Sequence, residues 1–296
     1  MSTTATAGTT PVPASGPITG PGIYEMTAED YHADPVPGGS LSSTGARRLL
    51  PPSCPAKYRY EQDHGQPHKA EFDFGTAAHK LVLGEGQELV ALDFDSWRTK
   101  AVNEKADKAR ARGAVPLLAK DHAKVLEMAD AIRRHPVAGP LFTPGSGLAE
   151  RALFWQDRTT GIWRRALVDW MKTGGPRFIA ADYKTTRDAS LDGVQKATAQ
   201  YGYYQQAAWY LDGIQALGLG GEDAAFVFVF QEKDAPYLVT VAELDVVALR
   251  IGRALNRLAL GIYAQCRETG HWPAYADDIE LISLPVWVEK RFEEYA

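Results

Sequence analysis

The spacing of apolar residues along the first half of the chain is mostly helical. Residues 40–50 start with hydroxyl side chains that can cap a helix and stop at Pro51-Pro52, which predicts a short helix. A second helix is predicted from about Phe74. Residues 98–134 are rich in alanine and charge, with apolar residues at helical spacing and a glycine and a proline between them, so we expect two helices.

The second half of the chain opens with a strand pattern. Three apolar runs are separated by turn signals and predict a meander, and a long helix, two strands and a C-terminal helix follow. The expected bounds are 152–156, 163–171 and 178–184 for the meander, 191–217 for the helix, 225–231 and 237–241 for the strands, and 244–269 for the last helix. This order predicts an α/β (α+β) fold, with one sheet packed against helices.

The first residues of the chain differ from the remainder in how much apolar surface they can bury. Residues 1–21 are mostly Thr, Ala, Pro and Gly, which cannot offset their own ordering entropy, so a disordered tail is predicted. No repeat or linker divides the remainder. Residues 22–296 are therefore predicted to form one domain, with helical additions at about 40–135 and a core at about 148–270.

The amino-acid composition excludes several classes of function. The 296 residues include 32 Lys and Arg against 37 Asp and Glu, a net charge of −5, which excludes a generally polybasic binder. Residues 98–134 alone carry ten basic and five acidic side chains, and a solvated helical face is the simpler interpretation of each of them. Two cysteines exclude a disulfide framework and a four-cysteine zinc or iron–sulfur site. Without an apolar run of spanning length or an export signal, a cytoplasmic location is expected.

Two acidic residues interrupt apolar strands in the predicted meander. Asp182-Tyr183-Lys184 ends one strand, and side-chain alternation places Asp182 and Lys184 on the same face. Asp169 interrupts the preceding strand, where a carboxylate without a partner is costly to bury. Two such acids could share Mg²⁺ or Mn²⁺, with Lys184 positioning or helping to deprotonate a water that attacks a phosphodiester. A purely structural interpretation is also open. Asp182 and Lys184 would then form an ion pair on one face of the strand, and Asp169 would cap a turn.

Further polar residues in the sequence favour the catalytic interpretation over the structural one. Gly75 precedes His79 by four residues, and Gln206 precedes Tyr210 by four on the helix that follows the Asp182 strand. Alone, the histidine is typical of a helix surface or core, and the Gln and Tyr are typical of one helix face. Gln200 and Tyr204 share the spacing, and we interpret that pair as a coincidence.

Together these motifs resemble the PD-(D/E)xK nuclease superfamily. Within it, the sequence is similar to the RecE-type, exonuclease VIII-like enzymes of phages and prophages, with RecB nuclease domains and lambda exonuclease as relatives. The resemblance covers about Ile23 to Trp287. It is carried by Leu41-Ser42-Ser43-Thr44, Ser53-Cys54-Pro55-Ala56, Phe74-Gly75-Thr76-Ala77-Ala78-His79, Asp169, Asp182-Tyr183-Lys184-Thr185-Thr186, Tyr203-Tyr204-Gln205-Gln206-Ala207-Ala208-Trp209-Tyr210, Gln231-Glu232-Lys233, Pro236-Tyr237 and Trp272-Pro273-Ala274-Tyr275.

The resemblance implies a restriction-endonuclease-like core, a central mixed sheet flanked by helices. It assigns metal ligation to His79, Asp169, Asp182 and the Tyr183 carbonyl, and the catalytic lysine role to Lys184. Gln206 and Tyr210 would lie beside the site and hold DNA or the acids. Relatives often carry an arginine two residues before the first aspartate; this chain has Leu167 there, and Arg165, with the same strand facing, is the expected replacement in substrate binding. Glu150 is either a supporting acid or a surface residue.

The implied activity is a Mg²⁺-dependent exonuclease, with Mn²⁺ as a substitute and no iron–sulfur cluster. It would degrade linear double-stranded DNA from a 5′ end and leave 3′ single strands for an annealing protein in recombination. A homo-oligomeric ring and a bacterial host cytoplasm are implied with it, and no membrane partner. Three alternatives stay open: a non-catalytic DNA-binding subunit, a site-specific or structure-specific endonuclease, and a metal protein without nuclease activity.

Overall fold

The computed structural model describes residues 11–14, 16–65, 70–84, 87–172, 174–276 and 278–295, with no side chains for residues 70–73. Residues 1–10 and 15 of the predicted disordered tail lie outside these ranges. Within the described part of that segment, Ile18 is 3% exposed, and its backbone N–H donates to the Pro35 carbonyl at 2.9 Å. The composition of the segment did not predict this contact.

A mixed sheet forms the centre of the molecule. Its strands are β1 (Val12–Pro13), β2 (Gly22–Glu25), β3 (Leu41–Ser42), β6 (Gly147–Gln156), β7 (Trp163–Lys172), β8 (Ile179–Thr186), β9 (Ala225–Glu232) and β10 (Val239–Glu243), and a separate parallel pair consists of β4 (Leu89–Leu92) and β5 (Val115–Leu118). The order is β1-β2-β6-β7-β8-β9-β10, with β3 also paired to β7. The β6-β7-β8 meander is antiparallel, and β9 runs parallel to β8, as a crossover through helices requires.

Helices cover both faces of this sheet. They are α1 (Ala28–His32), α2 (Ser43–Arg48), α3 (Pro55–His64), α4 (Ala70–Leu83), α5 (Lys100–Ala111), α6 (Ala119–Arg134), α7 (Ala138–Leu141), α8 (Leu191–Tyr201), α9 (Tyr203–Ala216), α10 (Val246–Thr269) and α11 (Val286–Arg291). The predicted α/β class, with a central mixed sheet flanked by helices, is confirmed.

The two faces have separate cores. On one face, α2, α9 and α10 pack over a ladder of phenylalanines at alternate positions of β9, Phe226, Phe228 and Phe230. On the other face, α4 and α6 pack against Tyr183 and Val229. Because side chains of one strand alternate, β8 sends Asp182 and Lys184 toward the first face and Tyr183 toward the second.

Two local features differ from the sequence prediction. The long helix predicted over 191–217 is two helices, because Gly202 adopts φ +66° and ψ +35°, a left-handed conformation that ends α8 and starts α9 in a new direction. One sheet was predicted, but the structure also contains the separate two-stranded sheet β4–β5. Its strand β5, Val115–Leu118, lies between the two helices predicted for 98–134.

In the described ranges, no helix is both long enough and apolar enough to cross a membrane.

Candidate active site

The candidate site lies where two neighbouring strands separate. β7 and β8 are paired at residues 170–172 and 179–181, and Asp169 and Asp182 occupy the next position on each strand. Beyond that point β3 pairs with β7 at Arg164 and Arg165, and this leaves a fork between β7 and β8. The meander therefore places the two carboxylates at the base of the fork.

Asp182 is nearly enclosed by two polar partners. It is 2% exposed, its Oδ2 lies 2.6 Å from the Lys184 ammonium, and its Oδ1 accepts a hydrogen bond from Gln206 Nε2 at 2.5 Å. Burial disfavours the charged ammonium, but the carboxylates of Asp182 and Asp169 outweigh burial and raise the pKa of Lys184. Lys184 is therefore a cation at neutral pH in this arrangement, which favours charge stabilisation over deprotonation of a water.

Asp169 joins the fork to the opposite face of the sheet. Its Oδ2 accepts the Tyr183 backbone N–H at 2.8 Å and lies 3.5 Å from His79 Nδ1, on α4. Burial, followed by the charge of Asp182, raises the pKa of Asp169 well above its usual value. Burial lowers the pKa of His79, so the imidazole is neutral at neutral pH with a ring nitrogen lone pair available.

These donors have the chemistry of a divalent-cation site. Two buried carboxylates that repel one another, beside a neutral imidazole, would be stabilised by a shared cation. Within the described part of the chain, however, no group of three or more His, Cys, Asp or Glu side chains is arranged to hold a metal ion. Lys184 occupies one Asp182 oxygen in this arrangement.

Glu150 lies opposite Asp169. It falls between the paired residues Ala149↔Trp170 and Arg151↔Val168, which places it across the β6–β7 ladder from Asp169. Its φ of +49° is left-handed, an uncommon conformation for a residue other than glycine, and its charge also contributes to the raised pKa of Asp169. The structure therefore favours the supporting acid over the surface residue.

Gln206 and Tyr210 bridge the fork from α9. Gln206 binds Asp182 on β8, and the Tyr210 hydroxyl donates to the Leu167 carbonyl on β7 at 2.9 Å. Because residues four apart share a helix face, one turn of α9 ties both strands together. By contrast, Gln200 and Tyr204 are absent from the residues that line the site cavity.

Arg165 is committed to contacts within the protein. Its guanidinium donates to the Ser40 carbonyl at 2.9 Å and to the Ser40 hydroxyl at 2.7 Å, and it forms an ion pair with Asp34 and stacks over Tyr31. The side chain is 8% exposed. Arg165 lines the cavity, as expected from its strand facing, but its contacts fasten the N-terminal segment to β7.

A cavity of about 860 Å³ opens onto the fork. Besides Asp169, Asp182 and Lys184, it is lined by several polar residues to which the sequence analysis gave no role: Ser42, Ser43, Thr44, Arg47, Arg48 and Tyr203. The Tyr203 ring lies 5.3 Å from Lys184 Nζ. Leu41-Ser42-Ser43-Thr44 was the signal that could have identified part of this wall. Residues 98–134 contribute nothing to it, and Lys124 and Arg133 form ion pairs with nearby acids.

A scan against protein-family models matches residues 43–285 to the PDDEXK-like domain of unknown function, DUF3799. The chain belongs to this family. The match covers most of the chain, and it supports the predicted membership of the PDDEXK-like domain in the PD-(D/E)xK nuclease superfamily.

A solved structure shares the fold of this PDDEXK-like domain. A crystal structure named "Putative exonuclease", from Eubacterium rectale, aligns with a TM-score of 0.58 at 12% identity, covering 90% of this chain and 98% of that chain. A second structure, of SSO0001, aligns over 65% of this chain and 88% of that chain at 14% identity, with a TM-score of 0.27. A search of the curated proteins finds no match.

Proposed function

We propose that this PDDEXK-like domain is a divalent-metal-dependent deoxyribonuclease. The observation that carries the proposal is the pairing of Asp169 and Asp182 at the base of the fork, with Lys184 bound to Asp182 and open to the cavity. Family membership supports a nuclease, and the fold is shared with a protein named "Putative exonuclease".

The residues divide the chemistry between them. Asp169, Asp182 and His79 would hold the cation, with the Tyr183 carbonyl as a fourth ligand, and the cation would supply positive charge against the phosphate oxygens. Lys184 stabilises the negative charge that develops on the phosphorus oxygens during attack by water, because it is already charged and fixed. Gln206 holds the Asp182 carboxylate in place, and Tyr210 holds the neighbouring strand.

The finer proposal is a RecE-type exonuclease. It uses Mg²⁺, with Mn²⁺ as a substitute, and degrades linear double-stranded DNA in the 5′ to 3′ direction. The product is a 3′ single strand, which an annealing protein would take up during recombination. Resemblance of the motifs supports the polarity and the recombination role, whereas the chemistry of the site supports only the cleavage.

Digestion of end-labelled DNA tests both the general nuclease proposal and the finer proposal of a RecE-type exonuclease. Linear duplexes labelled at the 5′ or the 3′ end are incubated with Mg²⁺, Mn²⁺ or EDTA, beside closed circular DNA and a Lys184→Ala variant. Metal-dependent early release of the 5′ label from linear DNA alone, abolished by the substitution, is the expected result.

Other results select the alternatives. Early release of the 3′ label contradicts the polarity, and cleavage of circles indicates an endonuclease. Retained DNA binding without cleavage under any metal condition indicates a non-catalytic subunit and overturns the nuclease proposal.

We also propose that the chain self-associates. Residues 278–295, named here the C-terminal arm, expose an unusual amount of apolar surface: Ile279 is 97% exposed, Leu281 98% and Trp287 64%. Exposed apolar side chains in such number favour protein–protein contact. The arm carries five acidic and two basic residues, and α10 exposes Arg250 together with Ile251 and Leu258. The α10 face of a second copy is therefore complementary to the arm in charge and in apolar character.

A further inference from the structure

A second polar cavity lies away from the candidate active site. It has a volume of about 460 Å³ and lies between the β6–β7 turn, α9 and α10. No residue that lines it also lines the active-site cavity. Arg164, on its wall, precedes Asp169 by five residues on β7, a separation of about 16 Å along an extended strand. The chemistry assigned to the fork therefore does not account for this cavity.

Four arginines line this cavity, which we name the arginine pocket: Arg158, Arg164, Arg253 and Arg257. Two acids, Asp157 and Asp212, lie among them and leave an excess of two positive charges. The two positive charges that these acids do not balance repel the other guanidinium groups, which points to a negatively charged ligand.

Arg164 is the fixed part of the pocket. Its side chain is 5% exposed, and its guanidinium lies 3.9 Å from the ring centre of Trp209 and 4.9 Å from that of Trp155. It pairs with Asp212 at 3.2 Å and with Asp157 at 4.0 Å. The buried cation is thus held in one orientation before any ligand binds.

Two donors at this wall lack acceptors in the protein. Arg164 Nε and Trp155 Nε1 are buried and have no hydrogen-bond partner, and both belong to residues that line the pocket. A buried donor without an acceptor is unfavourable, so this wall is not fully satisfied by the protein itself.

The remaining arginines are placed to close on a ligand. Arg253 shares Asp212 with Arg164, at 3.2 Å. Arg158 and Arg257 are exposed, and neither has an acidic partner in the part of the chain that the structure describes. One comes from a turn and the other from a helix, so their guanidinium groups can approach a phosphate from two sides.

We propose that the arginine pocket binds a phosphate group, carried either by the DNA backbone or by a small phosphorylated ligand. The DNA source rests on the proposed nuclease function, because it requires that a duplex bound at the fork also reach the pocket. The binding of a phosphate group does not rest on that function.

Pyrophosphate is the probe for the pocket itself. Isothermal titration calorimetry at low ionic strength compares the wild type, an Arg158→Gln/Arg257→Gln variant and an Arg250→Gln control on the same helix. We expect at least a tenfold loss of pyrophosphate affinity in the pocket variant and none in the control. A second variant, Gln215→Glu, brings a negative charge to the rim of the pocket and should also weaken binding. All substituted residues are exposed, so unfolding midpoints should stay unchanged.

Duplex DNA is the probe for the source of the phosphate. Fluorescence anisotropy with EDTA present measures binding of the same proteins without cleavage. A pocket variant that loses about tenfold in DNA affinity, with a salt slope smaller by about two, identifies the backbone as the source. Loss of pyrophosphate binding with unchanged DNA affinity identifies a small phosphorylated ligand.

Unchanged affinity for both probes in both pocket variants overturns the proposal. If the wild type binds pyrophosphate through the pocket but cleaves no DNA, the nuclease function fails and the phosphate site stands. The two proposals are therefore distinguishable.

Discussion

At the scale of single residues, the candidate site depends on Lys184 being charged and fixed. The ammonium is held 2.6 Å from Asp182 Oδ2 and lies near the Tyr203 ring, and its pKa is raised despite its burial. A fixed cation needs no reorganisation when negative charge develops on a phosphate, which makes it more effective than a mobile one in water.

Removal of that cation should abolish most of the activity. We expect Lys184→Ala to lower the initial rate of Mg²⁺-dependent cleavage of linear duplex DNA by about 10²- to 10³-fold or more, because one preorganised charge is lost. The exposed Lys196 on α8 provides the control, and Lys196→Ala should retain the full rate. DNA affinity with EDTA present should change little. Equal rates in the two variants would remove Lys184 from the chemistry.

Gln206 acts at the same site through Asp182. Because Gln206 Nε2 donates to Asp182 Oδ1 at 2.5 Å, Gln206→Ala frees a carboxylate that would hold the cation. We expect the Mg²⁺ concentration for half-maximal activity to rise about 10- to 100-fold. Gln200→Ala is the matched control, since Gln200 is exposed on α8. A lower maximal rate with an unchanged metal requirement would instead indicate that Gln206 contacts DNA.

At the scale of elements, the sequence predicts strand facing well and long-range contacts poorly. The period of two places Asp182 and Lys184 on one face, and the structure confirms it. The contact between His79 and Asp169 joins residues 90 positions apart, and no local pattern specifies it. Asp34, which forms an ion pair with Arg165, lies 131 positions before it, and no local pattern specifies that contact either. Local periodicity determines the face of the strand on which each side chain lies, whereas tertiary packing determines which residue that side chain contacts.

The break between α8 and α9 cannot be recognised from the spacing of apolar residues. Gly202 has φ +66°, and a Cβ there would lie 2.7 Å from Arg47 Cδ. We expect Gly202→Ala to lower the free energy of unfolding by about 1–3 kcal/mol. Gly218→Ala is the control, because Gly218 has φ +67° with nothing within 4 Å and tests the backbone cost alone. Urea unfolding measures both. A smaller loss for Gly202→Ala than for Gly218→Ala would contradict the packing argument.

The β6–β7 hairpin depends on the charge of Asp157. Burial acts to raise the pKa of this carboxyl, but hydrogen bonds from Thr160 and Thr159 and the charge of Arg164 outweigh it and lower the pKa. A folded-state pKa below the unfolded value adds stability above the unfolded pKa, and that stability is lost as the pH falls through the folded pKa.

Asp157→Asn should therefore destabilise the protein in a pH-dependent way. The asparagine keeps the turn but loses the charged hydrogen bonds, which costs about 1 kcal/mol at pH 7. The difference between wild type and variant, measured by urea unfolding, should shrink below about pH 4, the usual range of an aspartate pKa. A difference that stays constant from pH 7 to acid would assign the effect to packing.

At the scale of the whole molecule, the main sheet and its helices bury a core on each face of the sheet, whereas the C-terminal arm buries almost nothing. Leu284, Val286 and Tyr295 are 64%, 62% and 80% exposed, although they are side chains that folded chains usually cover. The arm starts at a fixed point, because Ala56 N–H donates to the Pro273 carbonyl at 3.0 Å and ties the chain to α3 just before it. An anchored apolar segment that its own fold does not cover is suited to contact with a second copy.

Disruption of the arm should therefore change the assembly state and leave the fold intact. We expect the wild type to elute in size-exclusion chromatography with light scattering at a multiple of the 32.4 kDa chain mass. A Leu281→Asp/Trp287→Ala variant should be monomeric, because it removes apolar contact and adds an acid to a buried interface. Leu191→Asp, at a 72% exposed leucine of α8, is the control and should keep the wild-type mass. The reciprocal change on α10, Ile251→Asp, should also give monomers if α10 of a second copy receives the arm. A wild type that stays monomeric at every concentration would overturn self-association, and an unchanged mass for Ile251→Asp would move the arm to another surface.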